Sequence, residues 1–271
     1  MKIFKNRKNL IENISGLKKI AFVPTMGALH KGHINLINKA KKKTNKVLIS
    51  IYINPKQFSS KRDFRKYPRK LNKDIETLKN LRIDYLYIPN YKDIFLYKPK
   101  NKIYLDNFSK ILCGKFRPFH FKGVVNIVNR FLEIIKPKFL YLGMKDFQQL
   151  SLIQSHITQN KIKTKIIKCP TIREKNGIAI SSRNVLLDKN QIQNAAKIYK
   201  FIKKNKKLIF YKILNKKRHE VVSELTQLGA SKIEYIECVN LDKQNICKSP
   251  TAKFNVFVAY YIGKVRLIDN L

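Results

Sequence analysis

Ile20-Ala21-Phe22-Val23-Pro24-Thr25-Met26-Gly27-Ala28-Leu29-His30-Lys31-Gly32-His33 decides the fold. The run from Ile20 to Val23 is apolar and of strand length, and residues 34–43 carry Ile34, Ile37 and Ala40 at helical spacing. Strand, glycine-bearing turn and helix in that order put Pro24 through His33 at a strand's carboxyl end, where open α/β sheets collect nucleotides. A glycine lets the backbone turn closely past a phosphate, a helix start offers N–H groups and a positive dipole end, and two imidazoles at H-x-x-H spacing stand on one side of the turn. A plain strand-to-helix loop with incidental histidines is the competing account.

Working outward, apolar runs recur at 47–53, 85–88, 139–142 and 165–167, and helical spacing recurs at 71–81 and 124–135. Strands apolar on both faces belong inside a sheet covered on both sides. The alternation predicts a Rossmann-like, doubly wound parallel α/β domain over residues 1–175. After about Ser182 the pattern changes to helical stretches at 191–207 and 219–228 and strand candidates at 233–237 and 256–260, which predicts a smaller α+β domain over 176–271.

Two more segments place chemistry-bearing residues at loops. Gly143-Met144-Lys145-Asp146-Phe147-Gln148-Gln149 follows the strand run 139–142: Lys145 can neutralise phosphate or carboxylate, Asp146 can approach Mg²⁺ directly or through water, and Gln149 can donate and accept. A helix-capping Asp146 is the alternative. Ser181-Ser182-Arg183-Asn184, preceded by Pro170-Thr171-Ile172-Arg173-Glu174, lies at the expected domain seam, where hydroxyls and a guanidinium suit the charge of a pyrophosphate leaving group. A solvated turn explains it equally well.

Two further loops, Asn54-Pro55-Lys56-Gln57-Phe58 and Arg117-Pro118-Phe119-His120-Phe121-Lys122-Gly123, offer Gln57 as a hydrogen-bonding side chain and Arg117 with His120 as an anion site. Turn chemistry and a structural histidine are their plainer accounts. Of nine glycines and five histidines, six and three fall in or beside these segments, which sets the segments apart in a chain otherwise rich in Lys and Asn.

The charge balance is 58 Lys and Arg against 17 Asp and Glu, or +41. Only 11 of the 58 are Arg, an unusual ratio for a surface that reads nucleic acid through bidentate contacts. A/T-rich codon usage at tolerant surface positions accounts for the excess, and a broad electrostatic footprint is the functional alternative. Cys113, Cys169, Cys238 and Cys247 stand far apart without metal-ligand spacing, so zinc and a disulfide scaffold are not expected. The amino end runs into polar sequence and no stretch approaches the roughly 18 apolar residues of a membrane span, so a cytoplasmic protein is expected.

Six motifs in order, P-T-M-G-A-L-H-x-G-H, N-P-x-Q-F, Y-P-R, R-P-x-H-F-x-G-V, G-x-K-D-F-Q-Q and P-T-x-R-E-x-x-G-x-A-x-S-S-R-N, resemble the pantothenate synthetase (pantoate–β-alanine ligase) family. The resemblance implies a two-step, ATP-dependent ligation: pantoate attacks the α-phosphorus to give pantoyl adenylate and pyrophosphate, and β-alanine then displaces AMP to give pantothenate. It also implies that His30 and His33 hold the triphosphate, with His33 as proton donor, and that Lys145 and Arg183 complete the catalytic set. Met26, Gly27, Ala28, Leu29, His30, Lys31, Gly32, His33, Gly143, Met144, Lys145, Asp146, Ile172, Ile180, Ser181, Ser182 and Arg183 match ATP contacts. Gln57 and Gln149 match pantoate-binding positions, and Gln57 also faces β-alanine. Mg²⁺ accompanies ATP, a homodimer is expected, and nucleic-acid binding is at most nonspecific. The family commonly has Glu where this chain has Met144, a change that can reorient Lys145. A sister adenylating enzyme would share H-x-G-H without needing Gln57, Gln149 and R-P-x-H-F together, and a nucleic-acid binder would leave the motif glycines unexplained.

Overall fold

The apolar runs at 20–23, 47–53, 85–88 and 139–142 form the middle of a parallel sheet, and the run at 165–167 forms one edge of it. In the computed structural model, which describes residues 1–58, 60–249 and 253–271, the chain divides into two units: Met1–Ser109 with Arg117–Pro170, and Lys110–Phe116 with Thr171–Leu271. The division falls at 170/171 where 175/176 was expected, and the short segment Lys110–Phe116 belongs with the second unit.

The first unit runs β1 (Lys2–Phe4), α1 (Arg7–Ile14), β2 (Ile20–Thr25), α2 (Lys31–Lys43), β3 (Lys46–Ile51), α3 (Lys61–Lys66), α4 (Leu71–Asn80), β4 (Tyr85–Tyr87) and α5 (Tyr91–Phe95). After α6 (Cys113–Phe116), which lies in the second unit, it resumes with α7 (His120–Ile135), β5 (Phe139–Gly143), α8 (Phe147–Gln159) and β6 (Lys165–Cys169). The strands pair in parallel in the order β1-β4-β3-β2-β5-β6. The chain therefore winds from β2 through β3 to β4, then restarts on the other side of β2 at β5. The switch point lies between β2 and β5.

Side chains alternate across β2, and both faces are covered. Ala21 and Val23 pack with Ile37 and Ala40 of α2, Leu78 of α4 and Val47 and Ile49 of β3. Phe22 points the other way and meets Phe131 of α7 edge-on at 5.4 Å, with Tyr87 of β4 6.1 Å from the same ring. Strand β1 and helix α1 were not expected. As an edge strand, β1 is exposed at Lys2 and Ile3 and buried only at Phe4, so it leaves no apolar run to read.

The second unit carries α9 (Lys189–Lys204), α10 (Lys206–Leu214) and α11 (Arg218–Gln227), followed by β7 (Lys232–Asn240), β8 (Asn245–Ile246), β9 (Phe254–Ile262) and β10 (Val265–Asn270). The sheet is antiparallel in the order β10-β9-β7-β8, and its Ile236, Val256, Val258 and Tyr260 pack with Ile198, Ile202, Phe210 and Leu225 of the helices. The single helix expected over 191–207 is broken at Asn205, whose side chain donates back to the Phe201 carbonyl at 3.0 Å. No disulfide joins the four cysteines, all of them buried. No helix among the described residues is long and apolar enough to cross a membrane.

Candidate active site

The turn after β2 is left-handed at two successive residues, Gly27 (φ +75°) and Ala28 (φ +49°). Such a pair turns consecutive N–H groups toward one point and makes an anion-binding concavity. Here the anion is internal. Asp74 of α4 is 3% exposed and accepts from the Ala28 N–H at 2.8 Å and the Leu29 N–H at 2.8 Å, one bond to each carboxylate oxygen. The Gly27 N–H donates to Thr25 Oγ1 at 3.1 Å, the His30 N–H to His33 Nδ1 at 3.4 Å and the Gly32 N–H to His30 Nδ1 at 3.1 Å. Of the helix-start N–H groups expected to be open to a phosphate, that of Gly32 is taken by His30 Nδ1, and the turn before it also spends its Gly27, Ala28, Leu29 and His30 donors within the protein. What the turn presents is its imidazoles.

His30 caps α2 from the N-cap position, and its ring stacks on that of His33 with centroids 4.0 Å apart. Both Nδ1 atoms accept backbone protons, so each neutral ring carries its own proton on Nε2. Burial, with the Lys145 ammonium nearby, pushes His30 down to about 4; burial beside His30 pushes His33 down to about 3. At neutral pH the pair offers two Nε2–H donors and no charge.

The other side of the switch point supplies the charge. Gly143 ends β5 in an ordinary extended conformation, a turn of 3-10 helix spans Met144–Asp146, and α8 follows. Asp146 occupies the N-cap position of α8 without a capping side-chain bond, and it lies 3.4 Å from the Lys145 ammonium. Lys145 and Asp146 both act electrostatically on His30 and His33, so the structure brings these four residues together. Gln149 follows in the first turn of α8 and is half-buried.

Gln57 closes the set from β3's side. Its side-chain amide lies 2.6 Å from the Met26 sulfur, joining the two loops. Its carbonyl accepts from Arg117 Nη2 at 3.1 Å and bonds His120 Nδ1 at 2.6 Å. With Nδ1 donating, His120 Nε2 is free of its proton and faces Arg117 Nη1 at 3.3 Å. The R-P-x-H segment, read from sequence as an anion site, thus holds the Gln57 main chain. Gly123 explains the remaining close approach: a Cβ there would stand 2.3 Å from the Lys56 carbonyl oxygen, and Asn54 Nδ2 donates to the Gly123 carbonyl at 3.1 Å.

In the second unit, Ile172 and Ile180 face each other across a short hairpin: the Ile180 N–H donates to the Ile172 carbonyl at 2.9 Å, and Arg173 bridges Ala179. Gly177 turns the hairpin at φ +96° with no room for a Cβ against the Tyr199 ring. Arg173 forks onto the Asp269 carboxylate at 2.6 and 2.8 Å and lies 4.6 Å over Tyr199. The hairpin leads into Ser181, Ser182 and Arg183, where Ser181 Oγ accepts the Arg183 N–H at 3.2 Å and Asn184 donates to the Ala179 carbonyl at 3.1 Å. Asp74 and Asp269 were missed in the sequence. No local signal marks them, because each acts on a loop far away along the chain, Asp74 on Ala28 and Leu29 and Asp269 on Arg173.

A doubly wound sheet that gathers two imidazoles, a lysine and an aspartate at its switch point defines a nucleotide-site protein of the α/β class. The family model described as pantoate-beta-alanine ligase matches residues 2–271, and the chain belongs to that family. It is similar to the pantothenate synthetase of Endomicrobium trichonymphae (39% identical, covering 100% of this chain and 97% of the relative) and to that of Francisella tularensis subsp. novicida (42%, covering 93% and 89%). Among solved structures it is similar to the Francisella tularensis pantoate-β-alanine ligase complexed with β-γ ATP and β-alanine (TM-score 0.85, 39% identity, covering 100% and 97%). A Thermus thermophilus pantothenate synthetase superposes with a TM-score of 0.90 at 27% identity, covering 100% and 99%.

Proposed function

We propose that this chain ligates pantoate to β-alanine with ATP. The pantoate carboxylate oxygen attacks the α-phosphorus, and the bond from that phosphorus to the bridging oxygen breaks to release pyrophosphate. The neutral amine of β-alanine then attacks the acyl carbon of the adenylate, AMP leaves with the anhydride oxygen, and the nitrogen loses a proton to give pantothenate. The observation that carries this reading is the stacked, neutral His30–His33 pair beside Lys145 in a chain of this family.

In-line transfer at phosphorus asks a protein for positioning and for donors aimed at developing negative charge. The two Nε2–H groups supply fixed donors that need no reorganisation, and Lys145 supplies a positive charge. His33 serves as a donor to the phosphates, and a bound triphosphate raises the proton affinity of both rings. Gln57 and Gln149 hold pantoate, Gln57 also meets β-alanine, and Met26 through His33 with Gly143 through Asp146 line the nucleotide. Ile172, Ile180, Ser181, Ser182 and Arg183 are further residues proposed to contact ATP. Mg²⁺ arrives with ATP as part of the substrate. Asp146, beside the Lys145 ammonium, would meet the cation directly or through water. The proposal includes a cytoplasmic homodimer whose surface binds nucleic acid at most nonspecifically.

Pyrophosphate release from MgATP, measured with purified protein and D-pantoate alone and then with β-alanine, tests the reading. Release that depends on pantoate, with pantothenate detected by mass only when β-alanine is present, is the expected result. Folded protein that releases none overturns it.

A further inference from the structure

We propose that Asp74 is a positioning residue for the ligation: a buried carboxylate that occupies the turn's amide concavity and thereby sets the direction of the His30 and His33 Nε2–H groups. The inference rests on the ligase reading for its kinetic readout, and on the geometry alone for its spectroscopic one.

Three observations converge on Asp74. First, its two oxygens each take one N–H, from Ala28 and Leu29, both at 2.8 Å, so the carboxylate is matched to the turn and not merely near it. Second, Ala28 is left-handed at φ +49°, a conformation unfavourable for a residue with a Cβ, and its N–H bond to Asp74 helps hold it there. Third, Gly27 is shaped around the same oxygen, since a Cβ at that position would stand 2.9 Å from Asp74 Oδ2 and 3.1 Å from the Ile51 side chain.

The chain of contact runs directly to the imidazoles. Leu29, whose N–H Asp74 accepts, precedes the N-cap His30, and His30 and His33 are locked to each other and to the helix start by the His30 N–H to His33 Nδ1 and Gly32 N–H to His30 Nδ1 bonds. Asp74 itself is fixed in the first turn of α4, where its own N–H donates to the Lys70 carbonyl at 2.9 Å and where a helix amino end favours a carboxylate. A carboxylate in the concavity also repels phosphate oxygens from it. The triphosphate is thereby directed to the imidazole Nε2–H edges and kept off a backbone cradle.

Asp74→Asn is the informative change, because it keeps size and burial while replacing one acceptor by an NH₂ that faces an N–H. A displacement of the catalytic donors of about 1 Å costs roughly a hundredfold in rate. The variant is therefore expected to lose about a hundredfold in kcat for pantoate-dependent pyrophosphate release, with the KM for pantoate changed less than threefold. Long-range ¹⁵N–¹H NMR of the free protein is expected to show both histidines as Nε2–H tautomers in the parent chain and a mixture of tautomers in Asp74→Asn. Asp74→Glu, which retains two acceptors, is expected to recover part of kcat and most of the tautomer signal.

A folded Asp74→Asn protein with parental kcat and parental tautomers overturns the proposal. If Asp74→Asn fails to fold, Asp74→Glu carries the test, and parental kcat with parental tautomers there has the same meaning only when Asp74→Ser, folded, gives them too. If the parent chain shows no pantoate-dependent release, the ligase reading has failed, while the tautomers still decide whether Asp74 orients the imidazoles.

Discussion

The turn after β2 and the hairpin before Ser181 are both held from behind by a carboxylate, but through different partners. In the first unit Asp74 grips main-chain N–H groups, so the turn's shape is fixed whatever its side chains do. In the second unit Asp269 grips the Arg173 guanidinium, and the hairpin is held through one long side chain stacked on Tyr199. A backbone clamp sets the direction of every side chain leaving the turn; a side-chain clamp fixes where the hairpin attaches and leaves its tip to the local bonds of Ser181 and Asn184. The first suits donors that must be preorganised, and the second anchors the hairpin through a single guanidinium.

The largest effect expected is at the preorganised side. His33→Ala is expected to lower pantoate-dependent pyrophosphate release by about 10²- to 10⁴-fold, the range for a positioned donor, with circular dichroism and the cooperative melt intact. Unchanged release in a folded variant removes His33 from the reaction.

At the hairpin the effect should appear first in stability. Arg173 and Asp269 are only 20% and 10% exposed, so Arg173→Ala leaves a carboxylate without its fork and is expected to cost on the order of 3 kcal/mol in urea unfolding. The Arg173→Ala/Asp269→Ala double variant is expected to recover part of that loss. Additive losses would mean the pair does not act as a unit.

Two glycines sharpen the same contrast. Gly177→Ala places a Cβ against the Tyr199 ring at a positive φ, and a loss above about 1 kcal/mol is expected. Gly143 has φ −80° and open space where a Cβ would stand, so Gly143→Ala is expected to melt as the parent does while raising the KM for ATP. A large drop in Tm for Gly143→Ala would mean that its role is in the fold and not at the ligand.

Acidification is the gentlest probe. Burial holds His30 at about 4 and His33 at about 3 against 6.5 for an ordinary imidazole, and it lowers His156 as well. Between those values the unfolded chain binds protons that the folded chain refuses, so stability falls as pH drops through that window. Tm followed from pH 7 to 4 is expected to decline, and less steeply in His33→Ala. Parallel slopes would contradict a buried, neutral His33.

Much of the first unit could be read directly. The runs at 20–23, 47–53, 85–88 and 139–142 became β2 to β5 because a strand buried on both faces must be apolar throughout, and that leaves a continuous signal; 165–167 became the edge strand β6, half-buried at Ile166 and Ile167 and exposed at Lys165 and Lys168. The exposed edge strand β1 and the half-exposed β10 carry no such run, so neither was expected. In the second unit, the break at Asn205 depends on a single side chain bonding back to Phe201, which helical periodicity does not register. Likewise, Arg117 and His120 are residues suited to binding anions, and one partner they share, the Gln57 carbonyl, is a main-chain atom with no mark in the sequence.

The sequence by itself determined the alternating parallel fold, the place of the H-x-G-H turn and the identity of the residues gathered there, because periodicity and residue chemistry are local properties. Only the tertiary structure decided what those residues are chemically. Two imidazoles became neutral Nε2–H donors because burial lowers their proton affinity and their Nδ1 atoms face N–H groups of the same turn. A turn whose spacing suits a phosphate cradle became a rigid mount because a carboxylate on α4, brought in by folding, fills it.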